Sequence, residues 1–326
     1  MIKARVIGTG MFLPEKIRTN ADLEALTDTN DEWIRKRTGI ERRHVSEDGE
    51  GAADLALRAT EMALDNAGIT ANDLDAIVFC TITQDQFFPA SGNLLQGMLK
   101  ARDIPSFDIG GACSGYMYGL QAANLYIESC TYKTVLLVGS DVLGKYMDWD
   151  FRDTSVLFGD GAGATVLRGE EGSHGMKYIE LGSDGENHGL LSAPGGGSRK
   201  VITPENINEH PYHIEMDGKE VFKRAVRKFA ELGQRALKET GLSIDDIKVF
   251  VPHQANARII EAACERLNMP MERTVLNINE TGNTVAATIP IGIHEAYSAG
   301  QIERGDYVMF AAYGAGLTWG VSIMQW

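Results

Sequence analysis

The chain repeats itself, and this constrains its fold more than any other feature. Residues 63–83, ALDNAGITANDLDAIVFCTIT, read as a helix end, a glycine stop at Gly68, an acidic turn and a β-branched strand. Residues 236–255, ALKETGLSIDDIKVFVPHQA, read the same way, with the stop at Gly241. LFGDGAGATVL (157–167) resembles FAAYGAGLTWGVSI (310–323), each predicting a strand, a glycine turn and a second strand. Between these blocks, IGGACSGY (109–116) and INETGNTVA (278–286) each carry glycine and then open a helix. Three blocks in the same order imply a duplication. Its boundary falls in RGEEGSHGM (168–176), which gives halves 1–170 and 171–326. Strands alternating with helices predict an α/β fold with mostly parallel sheets. The helices opening at Cys113 and near Asn283 are then equivalent and should face each other across a pseudo-twofold axis. A site built there draws on both halves.

Composition sets limits on function. A chain of 326 residues can bury a large core. The net charge of −14 disfavours nucleic acid and anionic membranes. No apolar run reaches the roughly 20 residues that span a bilayer, and MIKARVIGTGMFLPE lacks the long apolar core of a signal peptide. Cys80, Cys113, Cys130 and Cys264 lie far apart with no CxxC pair, which argues against a disulfide framework or a cysteine zinc site and predicts a cytoplasmic protein. GDGAGA is read between strands rather than opening a helix, so it is not a dinucleotide fingerprint. His210 and His213 share a loop with Pro204 and Pro211 but give only weak grounds for a metal, and none is expected.

Tyr116, Leu120, Ala123 and Ile127 follow Cys113 at helical spacing, so the cysteine stands at a strand–turn–helix elbow. Free N–H groups and the helix dipole there are expected to lower the thiol pKa. Read alone, Cys113 fits a nucleophile and an inert buried thiol equally. His253 leaves a strand tip after Pro252, and Asn283 follows a glycine at the start of a small-residue helix, where asparagine is usually a cap. All three lie at matching element ends of the duplicated fold, and this convergence favours the functional reading.

With these residues in place, the chain resembles the β-ketoacyl-[acyl carrier protein] synthase III family of thiolase-like condensing enzymes. The resemblance runs through DEWIRKRTGI (31–40), GACSG (111–115), LFGDGAGA (157–164), APGGGSR (193–199), VPHQANARI (251–259), GNT (282–284) and YGAGLTWG (313–320). It implies a duplicated αβαβα layered fold. It also implies decarboxylating condensation of a short acyl-CoA primer, acetyl-CoA, with malonyl on an acyl carrier protein, through an acyl-Cys113 intermediate. The family suggests Cys113, His253 and Asn283 as catalytic residues, with His253 and Asn283 donating hydrogen bonds to the malonyl thioester, and the N–H groups of Cys113 and Ala315 as the oxyanion hole. Trp33, Arg37, Arg152, Gly218 and Asn256 match CoA-binding positions. Phe87 and Phe88 match the loop that closes the primer pocket from the opposite subunit of a homodimer. Docking of the acidic carrier protein is expected on Gln254, Ala255, Asn256, Ala257, Arg258, Lys219, Lys223 and Arg266, as part of a basic face that also holds Arg224, Arg227 and Lys228. The resemblance implies no cofactor beyond the CoA thioester and phosphopantetheine-linked substrates. A specialised ketosynthase of secondary metabolism, using a longer, branched or aromatic primer, shares the same Cys-His-Asn set. A non-catalytic carrier-binding protein on this fold would have no need to keep it.

Overall fold

The computed structural model describes all 326 residues. Two mixed sheets are built to one plan. The first orders Ile2–Phe12, Gly161–Glu171, Thr134–Asp141, Ala76–Cys80 and Ser106–Ile109. The second orders Gly175–Ser183, Thr318–Gln325, Tyr307–Gly314 and Ile247–Pro252. Starting from Ile2–Phe12 or Gly175–Ser183, each sheet runs antiparallel, antiparallel, then parallel. The second sheet has no fifth strand, but a lone parallel bridge from Phe250 to Thr274 stands where that strand would pair. The strands of the first sheet come from residues 2–171 and those of the second from 175–325.

The sheets are mixed rather than mostly parallel. Only strands joined through a crossover helix run parallel here, whereas Thr134–Asp141 reaches Gly161–Glu171 through residues 142–160 without a long helix and returns antiparallel. That connection also corrects the expected match of 157–167 with 310–323. GAGA lies inside a strand, and residues 157–160 precede it as loop, while in the second half three residues (315–317) turn between the two strands.

The helices fill three layers, one between the sheets and one outside each. Gly115–Glu128 and Thr288–Ser298 occupy the middle, where Tyr116, Leu120, Ile289 and Ile293 share one core with Val78 and Leu137 of the first sheet and Val251 and Phe310 of the second. Fully burying each large apolar side chain is worth about 1.5–3 kcal/mol, and this doubly covered layer holds the largest apolar cluster in the molecule. Ala52–Ala67 covers the outer face of the first sheet and Gly218–Thr240 that of the second. Gly8 and Gly10 let Ala52–Ala67 lie directly on the first strand. A Cβ at either would come within 2.2 Å of a helix carbonyl, that of Ala63 or Ala59. The expected glycine stops hold, with Gly68 at φ 65° and Gly241 at φ 71°. No helix is long and apolar enough to cross a membrane.

Candidate active site

Cys113 sits in a short 3-10 turn, Ala112–Ser114, ahead of the regular helix Gly115–Glu128. Ala112 takes φ +45°, and Val285, in the corresponding turn of the second half, takes φ +53°. The two turns meet near the pseudo-twofold axis, where a Cβ on Gly115 would touch that of Ala286 at 3.7 Å. Gly314 packs directly beneath the thiol, since a Cβ there would lie 2.6 Å from the Cys113 Cβ. The Thr318 hydroxyl is shared between the carbonyls of Gly111 (3.2 Å) and Ala315 (2.9 Å), which braces the two loops against each other.

The thiol is 7% exposed. Burial pushes its pKa up to about 12, and the nearby Asp141 carboxylate adds to the rise. The N–H of Cys113 itself, the Asn283 side chain and the N–H of Ala315 act in the opposite direction without overcoming it. The expected depression of the thiol pKa is therefore corrected. Cys113 rests as a thiol, because burial at this turn desolvates the anion more than the nearby donors stabilise it. The same three donors mark where negative charge is welcome. Neither the Cys113 nor the Ala315 N–H is spent on a turn hydrogen bond.

Asn283 is held in one orientation. Its N–H donates to the Leu157 carbonyl at 2.9 Å, and its own carbonyl accepts from Gly159 at 3.1 Å. Its Oδ1 accepts from the Val285 N–H at 2.9 Å, leaving the amide NH2 free toward the sulfur. His253 lies just past the strand Ile247–Pro252, with its N–H on the Ala311 carbonyl at 2.8 Å, and is 1% exposed. Its Nδ1 is 2.7 Å from Thr288 Oγ1, which itself donates to the Val285 carbonyl at 3.1 Å. A hydroxyl has one proton, so Nδ1 is the donor in that pair. Nε2, which has no hydrogen-bond partner, is then the bare nitrogen of a neutral ring. Burial holds the ring neutral, lowering its pKa to about 3. With Nδ1 as the donor to Thr288, Nε2 is an acceptor at rest and donates only after it takes a proton.

Asp141 was not anticipated. It ends the strand Thr134–Asp141 fully buried and accepts from Thr81, Ile82 and Thr83 of the first half and, through Oδ2, from the Ala286 N–H of the second half at 3.0 Å. Desolvation raises its pKa to about 6. It ties the Val285 turn to the first sheet beside the thiol.

Cys113 and Ala315 open onto a mostly apolar cavity of about 760 Å³, whose walls include Phe87, Leu143, Phe158, Ile214 and Val285. Trp33, Arg37 and Arg152 do assemble, with the guanidinium carbons 6.0 and 5.0 Å from the Trp33 ring centroid. None of them, nor Gly218 or Asn256, lines this cavity. Asn256 has both ends of its side chain committed, Oδ1 to the Arg258 N–H as a helix cap and Nδ2 to the Arg37 carbonyl. It ties down the C-terminal turn of the helix Asp31–Thr38, which carries Arg37, and leaves little for a ligand. Phe87 and Phe88 are 84% and 78% exposed, and only Phe87 reaches the cavity wall.

The expected docking surface narrows. Gln254 is wholly buried, bonding the Pro252 and Val275 carbonyls and the Asn277 N–H, and Ala257 is packed in a core. Both fall at the helix entry, where the chain faces inward. Lys223, Arg224, Arg227 and Lys228 are each paired with an acid one turn away, Glu220 or Glu231, and Arg224 also with Asp184. Lys219, Arg258 and Arg266 have no acidic partner and face solvent, with Arg258 over the Phe222 ring at 5.6 Å. Ala255 is half-buried.

Two family models match the chain, one described as 3-oxoacyl-[acyl-carrier-protein (ACP)] synthase III over residues 107–185 and the other as its C-terminal part over 237–326. A β-ketoacyl-[acyl-carrier-protein] synthase III of Roseiflexus sp. (strain RS-1) is 43% identical over 323 residues, covering 99% of this chain and 98% of that protein. Another, of Caldanaerobacter subterraneus subsp. tengcongensis, is 42% identical over 325 residues, covering 100% and 98%. The crystal structure of 3-oxoacyl-[acyl-carrier-protein] synthase III from Aquifex aeolicus VF5 superposes with a TM-score of 0.92 at 39% identity and covers all of both chains.

Proposed function

The chain belongs to the β-ketoacyl-[acyl-carrier-protein] synthase III family of thiolase-fold condensing enzymes, and on that premise we propose how its own residues carry the reaction. It is an acyltransferase that performs the initiating condensation of fatty acid synthesis. The specialised secondary-metabolism reading is not favoured by these relatives.

Cys113 is the nucleophile. Its sulfur attacks the thioester carbonyl of a short acyl-CoA, the Cys113 and Ala315 N–H groups hold the oxyanion, and CoA leaves as a thiolate that takes a proton from water. The proton of Cys113 passes to the bare Nε2 of His253 as the sulfur attacks. Because burial lowers the ring pKa to about 3, Nε2 holds this proton only while the oxyanion stands beside it and gives it up to solvent as CoA departs. Nε2 takes up a proton again from solvent beside the negatively charged malonyl group, and that N–H and the Asn283 NH2 hold the carbonyl oxygen of malonyl on the carrier protein while CO2 departs. The enolate carbon attacks the acyl group, sulfur is expelled, and the proton returns to it. Each such donor is worth about 2.7–4 kcal/mol of barrier. One observation carries this reading. The sulfur at the cavity floor faces the Asn283 side chain and the Ala315 N–H, with an unpartnered His253 nitrogen buried in the same layer.

Trp33, Arg37 and Arg152 grip the nucleotide end of CoA by stacking and phosphate pairing. Lys219, Arg258 and Arg266 meet the acidic carrier protein. The primer is acetyl, and the exposed Phe88 belongs to a homodimer in which this loop closes the cavity of the other copy. Residues 1–170 and 171–326 act as two halves that share one site. The four free cysteines fit a cytoplasmic enzyme.

The test separates the half-reactions. Cys113→Ala should lose both self-acylation and condensation. Asn283→Ala should keep acylation from acetyl-CoA and lose decarboxylation of malonyl-carrier protein. Equal loss of both steps in Asn283→Ala overturns the division of roles.

A further inference from the structure

We propose that Asp148, His210 and His213 form a site for a divalent transition-metal ion of the zinc class, which clamps the mouth of the cavity. The three side chains come from two segments far apart in sequence, and each offers one ligand atom within 4.8 Å of the others. His213 Nε2 stands 3.3 Å from Asp148 Oδ2. That nitrogen is buried, yet it is not aligned on the carboxylate as a hydrogen bond and has no other partner. Two ligands viewing a common point have this geometry. Bonds of about 2.0–2.2 Å to a tetrahedral ion put neighbouring ligand atoms roughly 3.3 Å apart, so this pair already spans one edge of the tetrahedron.

His210 completes the set through the backbone. It takes φ +52°, and the His213 N–H closes a turn onto its carbonyl at 3.0 Å. The turn brings the two rings together, stacked with centroids 4.6 Å apart. The Tyr212 hydroxyl, 3.4 Å from His210 Nδ1, orients one ring, and Phe151 stacks on the other at 6.2 Å. Two imidazoles and one carboxylate suit zinc, and with three protein ligands the fourth position is left to water.

The location gives the ion a task. The segment before Asp148 contributes Leu143 and Tyr146 to the cavity wall, and the histidine loop contributes Tyr212 and Ile214. An ion here fastens these two walls together. Metal binding itself does not depend on the catalytic assignment; only its effect on acylation rests on the Cys113 reading.

The test uses the full chain stripped of metal with a chelator and titrated calorimetrically with Zn2+, alongside Co2+ as a spectroscopic probe. One ion per chain is expected, with Co2+ absorption of a nitrogen–oxygen site free of thiolate charge transfer. His210 is exposed, so His210→Ala should fold normally and weaken binding by at least about 100-fold, as should Asp148→Asn. Zn2+ should also slow acylation of the native chain, and not of His210→Ala. The site is overturned by no saturable binding, by binding unchanged in both variants, or by a thiolate band that disappears in Cys113→Ser. Tight binding that leaves acylation unchanged overturns the clamp.

Discussion

Replacing Thr288 with valine preserves the shape of the side chain and removes only the hydroxyl that fixes the His253 tautomer. In the native chain Thr288 Oγ1 accepts from Nδ1 at 2.7 Å and donates its own hydrogen bond to the Val285 carbonyl. In the variant an Nδ1–H would be buried with no acceptor, at a cost of about 1–3 kcal/mol. Nε2 has no partner either, so the ring loses its preference for the tautomer with a bare Nε2, and the imidazolium that forms as the sulfur attacks loses its Nδ1 acceptor, a hydrogen bond to a charged group worth about 1.5–3 kcal/mol. At about 1.36 kcal/mol per tenfold, the rate of Cys113 acylation should fall roughly 10- to 150-fold. Thr288→Ser, which restores the hydroxyl, should return close to the native rate. Single-turnover acylation with acetyl-CoA, read by mass spectrometry, measures the rate. Nitrogen-15 shifts of the imidazole report the tautomer, which a merely structural role would not move. If Thr288→Val shifts the tautomer and still acylates at the native rate, or slows without a tautomer change, the reasoning is wrong.

Gly314→Ala places a methyl 2.6 Å from the Cys113 Cβ; overpacking of this kind costs about 1–3 kcal/mol, so a lower melting temperature and a lower kcat should appear together. Arg258→Glu should raise the KM for malonyl-carrier protein and leave acylation by acetyl-CoA intact, whereas Lys223→Glu, whose charge is already offset by Glu220, should have the smaller effect; equal effects would return docking to the wider basic face. His253 titrates near 3 in the folded chain against an ordinary 6.5, so the unfolded chain binds the extra proton between those values and stability falls as pH drops through that window. Asp141, raised from 3.8 to about 6, works in reverse, adding stability below pH 4 that is lost as pH rises through about 6. His253→Gln should therefore flatten the acid limb of a melting-temperature profile, and an unchanged limb would show that His253 is not a source of it.

The sequence carried the duplication, the elbow at Cys113 and the family motifs, because each depends on local pattern. Helix stops at Gly68 and Gly241 need only a glycine where the chain turns left-handed. Thr288 and Asp141 were not legible, since each matters through a contact between segments remote in sequence, and a threonine in a helix or an aspartate after a β-branched run carries no mark of that. The thiol pKa was misjudged because a helix start is visible in sequence and the depth of burial around it is not. The basic face was overcounted for a related reason. Glu220 and Glu231 sit one turn from their partners and could have been weighed, while Asp184 reaches Arg224 only through the fold. Asp148 likewise joins His210 and His213 only in three dimensions.

The most direct test of the account is to incubate the purified chain with acetyl-CoA, with no malonyl donor, and to locate any adduct by intact and peptide mass spectrometry. The account predicts one acetyl group per chain on the peptide containing Cys113, none on Cys80, Cys130 or Cys264, and none in Cys113→Ala. An acetyl group on another residue, or no adduct from any acyl-CoA, would contradict it.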